Sequence, residues 1–145
     1  LPASAKPLAK AAPTPAAETR GAHETILLAE DEEVIREMAQ LSLEQRGYKV
    51  IPANDGAAAA ALYREHWQRI DLAVVDMVMP QLNGAELVER MRAINPAVRV
   101  IVSSGFSHDQ EGQRMLAHGC LGYLQKPYSP DKLTEVVRSV LDSGL

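Results

Sequence analysis

The stretch Ile26-Leu27-Leu28-Ala29-Glu30-Asp31-Glu32 joins a short apolar run directly to acidic residues. A continuous apolar run of this kind is typical of a parallel strand that is covered on both faces. In an open sheet of parallel strands, ligands bind beyond the carboxyl ends of the strands, which is where the acidic residues begin. The stretch therefore predicts a buried first strand that ends in a charged, ligand-binding loop.

More apolar runs follow along the chain, and segments with helical spacing separate them. The runs lie at residues 49–51, 72–75, 98–102 and 121–124. Helical faces are formed by Val34, Ile35, Met38 and Leu41, by Leu87, Val88, Met91 and Ile94, and by Leu133, Val136, Val137, Val140 and Leu141. Strands that alternate with helices in this way, five of each, predict an α/β fold with right-handed crossovers and a doubly wound parallel sheet.

The composition excludes several classes of protein. The 145 residues include 15 Lys and Arg against 19 Asp and Glu, with a formal net charge of -4. This balance disfavours nucleic acid as a partner, because phosphate contacts need clustered basic residues. Cys120, as the single cysteine, excludes an internal disulfide framework, and no apolar run approaches the roughly 20 residues of a membrane-spanning helix. We expect a cytoplasmic domain that contacts neither nucleic acid nor membrane.

Residues 1–22 differ from the rest of the chain, with eight Ala, four Pro and only Leu1 and Leu8 as large apolar residues. Such a segment buries too little surface to offset the entropy of ordering it. We interpret residues 1–22 as an Ala/Pro-rich linker and residues 23–145 as one domain; an N-terminal tail of a free-standing protein is the alternative. Because the sequence begins with Leu1 rather than Met, we expect it to be part of a longer chain.

The residues that follow the predicted strands supply the chemistry. Glu30 and Asp31 follow the first strand, and Asp76 follows the third. Carboxylates gathered at one edge of a sheet make an oxygen-rich site for a hard divalent cation, and Mg2+ (or Mn2+) suits such ligands. A flavin or dinucleotide carrier is disfavoured, because the first loop has no glycine-rich pattern and its acids would repel phosphate.

Ser104 follows the fourth strand and Lys126 follows the fifth. Together with the three acids, these residues can form one site for phosphoryl transfer. Asp76 can act as a nucleophile that forms an acyl phosphate. The cation and Lys126 can neutralise charge on the transferring phosphoryl oxygens, and the Ser104 hydroxyl can donate a hydrogen bond to one of them.

Some of these acids and bases have simpler structural interpretations. Glu32 and Glu33 fall in the first turn of a helix, where the helix dipole favours acids, and Glu32 can pair with Arg36. We favour this structural role for both acids. Asp76 could cap a helix, but a carboxylate at the end of a buried run costs free energy unless it is paired or bound to metal. Lys126 could be a solvated surface lysine.

Four motifs, in order and correctly spaced, resemble those of the receiver domain of two-component signalling, which is found in response regulators and hybrid sensor histidine kinases. The resemblance covers about residues 24–143 and implies a flavodoxin-like (βα)5 fold with strand order 2-1-3-4-5. The motifs are residues 26–32, residues 75–80 with Asn83-Gly84, Ser104-Gly105, and Gly122-Tyr123-Leu124-Gln125-Lys126-Pro127.

The resemblance assigns roles to the acids and to the lysine. Asp76 matches the phosphoacceptor, and Glu30 and Asp31 match the acidic pair that holds Mg2+. The backbone carbonyl of Val78 would be a further metal ligand, and Lys126 matches the lysine that contacts the phosphoryl group. The domain would promote its own phosphorylation and dephosphorylation.

The resemblance also implies a conformational switch. Ser104 matches the hydroxyl that is drawn to the phosphoryl group, and Tyr123 matches the aromatic residue that turns inward with it. The output face would comprise the fourth helix, the fifth strand and the last helix, and it offers a surface for a weak dimer. Here that face includes Met115, His118, Tyr123 and parts of residues 129–143.

Three positions depart from the family pattern. Glu30 stands where Asp is commoner, which keeps the charge but adds a methylene. Val78 has no polar group to orient an attacking water, and Phe106 could cover the site. We therefore predict a comparatively long-lived acyl phosphate, and faster hydrolysis when Val78 is replaced by Asn.

The resemblance also suggests a parent protein and partners. Residues 103–107, Ser-Ser-Gly-Phe-Ser, are similar to receivers fused behind a histidine kinase core. We therefore expect the carboxy-terminal receiver of a hybrid sensor kinase, with a stand-alone response regulator as the alternative. The phosphoryl donor would be a histidine kinase core or a histidine phosphotransfer domain.

Two rival functions come from other classes of protein. A phosphatase of the haloacid dehalogenase type also uses an aspartate nucleophile at a strand end, but it needs a second acid two residues later, where this chain has Val78. A pseudo-receiver binds partners without chemistry. It is disfavoured because the acceptor, the acidic pair, the hydroxyl and the lysine are all present.

Overall fold

The computed structural model describes residues 23–79, 81–105 and 119–143, and strands alternate with helices within each of these ranges. The predicted linker lies outside these residues, as do Phe106 and the predicted fourth helix of the output face, with Met115 and His118. The elements are β1 (Thr25–Ala29), α1 (Glu33–Gln45), β2 (Lys49–Ala53), α2 (Gly56–His66), β3 (Leu72–Asp76), α3 (Gly84–Ile94), β4 (Val100–Ser104), β5 (Gly122–Gln125) and α4 (Pro130–Ser143).

The strands form one five-stranded parallel sheet in the order β2-β1-β3-β4-β5. This confirms the predicted doubly wound α/β fold and its strand order. The order reverses between β1 and β3, and in open sheets such a switch point opens a crevice at the carboxyl ends of the strands. Ala29 pairs with Val75 across this point. Glu30 and Asp76, which come next in sequence, are therefore side by side at the crevice.

Two strands extend further than the apolar pattern predicted. Asp76 is the last residue of β3 and pairs with Ser103, and Ser104 is the last residue of β4 and pairs with Gln125. The sequence placed Asp76, Ser103 and Ser104 after their strands because their side chains are polar. The backbones continue the ladder regardless of side-chain polarity, and these polar groups are therefore fixed by the sheet itself.

Helices cover both faces of the sheet, and each face has its own apolar core. On one face, α2 and α3 pack against side chains such as Leu27 and Val75. On the other, α1 and α4 pack against side chains such as Ile26 and Val74. The predicted core faces of α3 and α4 are confirmed, since these helices bury Leu87, Val88, Met91, Leu133, Val137, Val140 and Leu141.

The predicted core face of α1 is wrong in part. Val34 and Leu41 were expected to lie in the apolar stripe, but they are 80% and 57% exposed. The helix instead buries Ala39, Ser42 and Leu43. Two of these three buried side chains, Ala39 and Ser42, are small. Ile35 and Met38 of the predicted stripe do pack against the core, so the search for large apolar residues at helical spacing found part of the buried face.

Within the described residues, no helix is both long enough and apolar enough to cross a membrane.

Candidate functional site

Three acids converge at the switch point. Glu30 and Asp76 are buried, with 1% and 2% of their surfaces exposed, whereas Asp31 is exposed. One carboxylate oxygen from each of the three lies within 4.8 Å of the others. The sheet sets this geometry, because the backbone of Glu30 still donates to Ala53 of β2 while Asp76 is paired with β4. Oxygen ligands this close together suit a divalent cation such as Mg2+.

Lys126 neutralises part of this charge. Its ammonium Nζ lies 2.9 Å from Asp76 Oδ2 and 3.0 Å from Glu30 Oε2. The lysine follows β5, and its backbone N–H donates to the carbonyl of Ser104 at 2.8 Å, which anchors it to the end of β4. The peptide bond to Pro127 is cis. The solvated-surface interpretation of Lys126 is therefore wrong.

Burial controls the titration of the site. It raises the pKa of Glu30 from its ordinary value of 4.5 to about 7, and the Asp76 carboxylate contributes in the same direction while Lys126 opposes both. Burial also raises the pKa of Asp76, against the opposing hydrogen bond from Lys126. For Lys126 burial lowers the pKa, but the two carboxylates outweigh it and the net shift is upward. When Glu30 and Asp76 are both ionised, Lys126 compensates only part of their charge, and a cation would stabilise this ionised form.

A cleft of about 430 Å³ opens beside Asp76. Its lining includes Asp31, Glu32, Val78, Gly105 and Lys126 as well as Asp76 itself. Asp76 is therefore buried from bulk solvent but faces a space large enough for a hydrated ion and a phosphoryl group. Val78 is 57% exposed and lines this space with an apolar side chain.

The loop between β3 and α3 holds the Asp76 carboxylate in place. The backbone N–H of Val78 donates to Asp76 Oδ1 at 3.2 Å. Gly84 closes the loop through its N–H to the Met77 carbonyl at 3.1 Å. A Cβ at Gly84 would lie only 2.7 Å from the carbonyl oxygen of Asp76. Glycine is therefore required at position 84 by its close approach to the backbone of Asp76, a role that the Asn83-Gly84 motif alone did not reveal.

The two predicted switch residues lie on neighbouring strands. Ser104 is 2% exposed at the end of β4, and the following residue, Gly105, lines the cleft. Tyr123 is half-buried on β5, pairs with Val102 and packs against the core on the α2 and α3 face. Since the Ser104 carbonyl accepts from Lys126, the serine is coupled to the lysine through the backbone.

Glu32 belongs to the site, although the sequence indicated a purely helical role for it. Its carboxylate oxygen Oε1 lies 3.9 Å from Lys126 Nζ, and its side chain lines the cleft. The predicted partner, Arg36, donates instead to the carbonyl oxygen of Glu30 at 3.0 Å. No sequence signal identifies this contact, because it depends on the direction of a side chain across the site.

Comparison with known proteins agrees with this geometry. Residues 26–138 match the model of the response regulator receiver domain. The chain therefore belongs to the receiver domain family of two-component signal transduction. Among solved structures it is similar to a receiver domain protein from Clostridium thermocellum, with 25% identity, a TM-score of 0.78, and coverage of 83% of this chain and 95% of that one. It is also similar to the chemotaxis protein CheY4 of Vibrio cholerae, with 28% identity, a TM-score of 0.75, and coverage of 82% and 99%.

Curated relatives contain the domain within longer proteins. The sensor kinase CckA of Brucella abortus is 33% identical over 118 residues, which cover 81% of this chain and 12% of that protein. The transcriptional regulatory protein PhoP of Bacillus subtilis is 31% identical over 116 residues, with coverage of 80% and 48%. The chain thus spans a minor part of CckA and about half of PhoP, so the activity of a whole protein does not transfer from either.

Proposed function

We propose that the domain accepts a phosphoryl group on Asp76 from a phosphohistidine, in a reaction that depends on Mg2+ or Mn2+. The observation that supports this proposal is the convergence of Asp76 with Glu30, Asp31 and Lys126 at one cleft. In the described part of the chain, Lys126 is the cation that contacts the two buried carboxylates, and burying two acids against one base is costly for a purely structural role. A site that binds a cation and a phosphoryl group accounts for that cost.

The donor set fits a hard divalent cation. Glu30, Asp31 and Asp76 would hold it through carboxylate oxygens, and the backbone carbonyl of Val78 would complete the protein ligands. When bound, such an ion supplies positive charge against the oxygens of the transferring phosphoryl group. Asp31, as the exposed member of the three, provides a ligand on the solvent side.

The residues of this chain would perform the transfer as follows. A carboxylate oxygen of Asp76 forms a bond to phosphorus, the nitrogen–phosphorus bond of the phosphohistidine breaks, and its electron pair returns to the imidazole. Lys126 already contacts Asp76 at 2.9 Å and would turn to the new phosphoryl oxygens. The Ser104 hydroxyl would donate to another of these oxygens. Tyr123 on the adjacent strand would turn inward and alter the partner-binding face.

The parent protein that we propose is a hybrid sensor kinase with this domain at its carboxy terminus, in the cytoplasm. The likeness to the sensor kinase CckA supports it. The stand-alone regulator remains the alternative, and relatives that are transcriptional regulators show that the domain also occurs in other contexts. The partner in either case would be a histidine kinase core or a histidine phosphotransfer domain, and residues 1–22 would act as the linker.

Intact-mass measurement after incubation with acetyl phosphate tests the proposal. The wild type should gain the mass of one phosphoryl group with Mg2+ and not with EDTA, and Asp76→Ala should gain none. Absence of the gain in the folded wild type would contradict the proposal and favour a pseudo-receiver. Continuous turnover of small phosphate esters would instead favour a phosphatase of the haloacid dehalogenase type.

A further inference from the structure

Glu32 occupies the N-cap position of α1 without acting as a cap. N-caps are usually Ser, Thr, Asp or Asn, whose short side chains accept a hydrogen bond from the first turn of the helix. Glu32 has extended backbone dihedrals, with φ -84° and ψ 119°, and within the described residues its side chain makes no capping hydrogen bond. The local needs of the helix therefore do not explain an acidic side chain here.

The side chain is instead directed toward the site. Glu32 Oε1 lies 3.9 Å from Lys126 Nζ, and 61% of the side chain is exposed at the edge of the cleft. The backbone N–H of Glu32 donates to Glu30 Oε2 at 3.1 Å, and this bond fixes the residue beside the acidic pair. Glu32 is thus a charged group between solvent and the lysine that serves Asp76.

Three carboxylates consequently surround one ammonium group. Lys126 contacts Asp76 and Glu30 closely and Glu32 at a longer distance. The longer contact is with Glu32, whose carboxylate faces solvent. The charge of Glu32 therefore acts on any ligand that enters the cleft. Glu32 lies in the lining of the cleft that Asp76 faces, so an anionic donor that enters this cleft meets the negative charge of Glu32.

We propose that Glu32 sets the donor selectivity of the domain by repelling small dianionic phosphodonors at the edge of the cleft. This inference rests on the proposed phosphorylation of Asp76 and specifies which donors that site disfavours. Glu32 touches no reacting atom, so it is a specificity-determining residue rather than a catalytic one. A donor with a lower net charge, or a protein donor that brings its own cation, is disfavoured less.

The reaction in which the effect is measured is transfer from acetyl phosphate. An oxygen of Asp76 bonds to phosphorus, the bond from phosphorus to the acetyl oxygen breaks, and acetate leaves with the electron pair. Acetyl phosphate is a dianion at neutral pH. Phosphoramidate, whose nitrogen is protonated, carries one negative charge less and provides a matched donor for which the repulsion is smaller.

The experiment compares Glu32→Gln with Glu33→Gln and wild type at saturating Mg2+. Both variants remove one acid from the start of α1, but Glu33 is exposed outside the cleft lining. Glu32→Gln should accelerate phosphorylation by acetyl phosphate roughly three- to tenfold at low ionic strength, and the gain should fall below about twofold near 0.5 M salt. Phosphoramidate should show a smaller gain, and Glu33→Gln should match wild type with both donors.

The possible outcomes separate this inference from the proposed function. If wild type is phosphorylated on Asp76 but Glu32→Gln behaves like Glu33→Gln, the role of Glu32 is wrong and the phosphoacceptor role stands. Equal acceleration with both donors, or a gain that salt does not reduce, would also overturn selection by charge. If wild type gains no phosphoryl group from either donor, the proposed function itself fails.

Discussion

Glu30 shows how position changes the chemistry of one carboxyl group. As the residue after β1 it is 1% exposed, and burial raises its pKa from 4.5 to about 7. In the metal-free domain it therefore keeps a proton over a range of pH in which the unfolded chain has already released it. Its stabilising contribution is complete below pH 4.5 and is lost as the pH rises to about 7. A bound cation offsets the free-energy cost of ionising the buried Glu30, because it binds the ionised carboxylate.

We therefore predict that Mg2+ binding weakens in acid. Between pH 8 and pH 6 the apparent affinity should fall by about tenfold, since Glu30, whose pKa is raised to about 7, must lose its proton before it binds metal. Calorimetric titration with Mg2+ at several pH values would measure it. Glu30→Gln should bind more weakly and lose much of this dependence. A wild-type affinity that is constant from pH 6 to pH 8 would show that Glu30 does not ligate the ion.

Val78 places an apolar side chain beside the cleft that Asp76 faces. It lines the cleft and is 57% exposed, yet it offers only a backbone N–H to Asp76. Val78→Asn should shorten the lifetime of the phosphorylated form several-fold, because a side-chain amide can orient an attacking water. Decay would be followed by intact mass after donor removal. Val78→Ala is the control: equal acceleration by Ala would indicate steric access, and no change with Asn would refute the idea.

At the scale of elements, the conformation of the loop between β3 and α3 depends on a glycine, Gly84, at the start of α3. Gly84 begins α3, and Asn83 and Glu86 form a reciprocal capping box around that start. A Cβ at Gly84 would press on the backbone of Asp76 and Met77. Gly84→Ala should lower the free energy of unfolding by about 1–3 kcal/mol and slow the phosphorylation of Asp76.

Denaturant unfolding and acetyl phosphate kinetics would measure the effects of Gly84→Ala. Gly105→Ala serves as a stability control, because a Cβ there meets none of the described residues within 4 Å. Similar losses of stability in the two variants would contradict the role given to close approach at Gly84.

The elements also show where sequence reasoning succeeds and fails. Asp76, Glu30 and Lys126 could be predicted because each lies at the end of a strand, and parallel strands bring those ends to one edge. The complete core face of α1 could not, since it depends on Ala39 and Ser42, which carry little hydrophobic signal. The contact of Glu32 with Lys126 could not be predicted either. The two residues are far apart in the sequence, and the spacing of residues within one helix does not indicate which distant side chain lies nearby.

At the scale of the whole molecule, Arg138 joins three parts of the chain at the edge of the sheet opposite the cleft. Its guanidinium donates to Tyr48 at 3.1 Å before β2, to Glu24 at 3.3 Å before β1, and to Asp142 at 2.9 Å at the end of α4. These contacts link α4 to the segments that precede β1 and β2. They lie far from Asp76 in the topology and should affect stability rather than phosphorylation.

Arg138→Met should therefore lower the free energy of unfolding by about 1–2 kcal/mol, because it leaves the Glu24 carboxylate without its cationic partner. Arg46→Met removes an exposed pair with Asp131 at 3.5 Å, with side chains 38% and 93% exposed, and should cost less than about 0.5 kcal/mol. Urea unfolding of both variants would measure the difference. Equal losses would contradict the importance of the Arg138 contacts.

The central claim is that Asp76 receives the phosphoryl group, and borohydride trapping tests it most directly. Sodium borohydride reduces an aspartyl phosphate to homoserine, so peptide mapping of the treated domain locates the modified residue. After incubation with acetyl phosphate and Mg2+, we predict homoserine at position 76 and none without Mg2+. Homoserine that is absent from position 76 in the phosphorylated domain, or a label on another residue, would contradict the account.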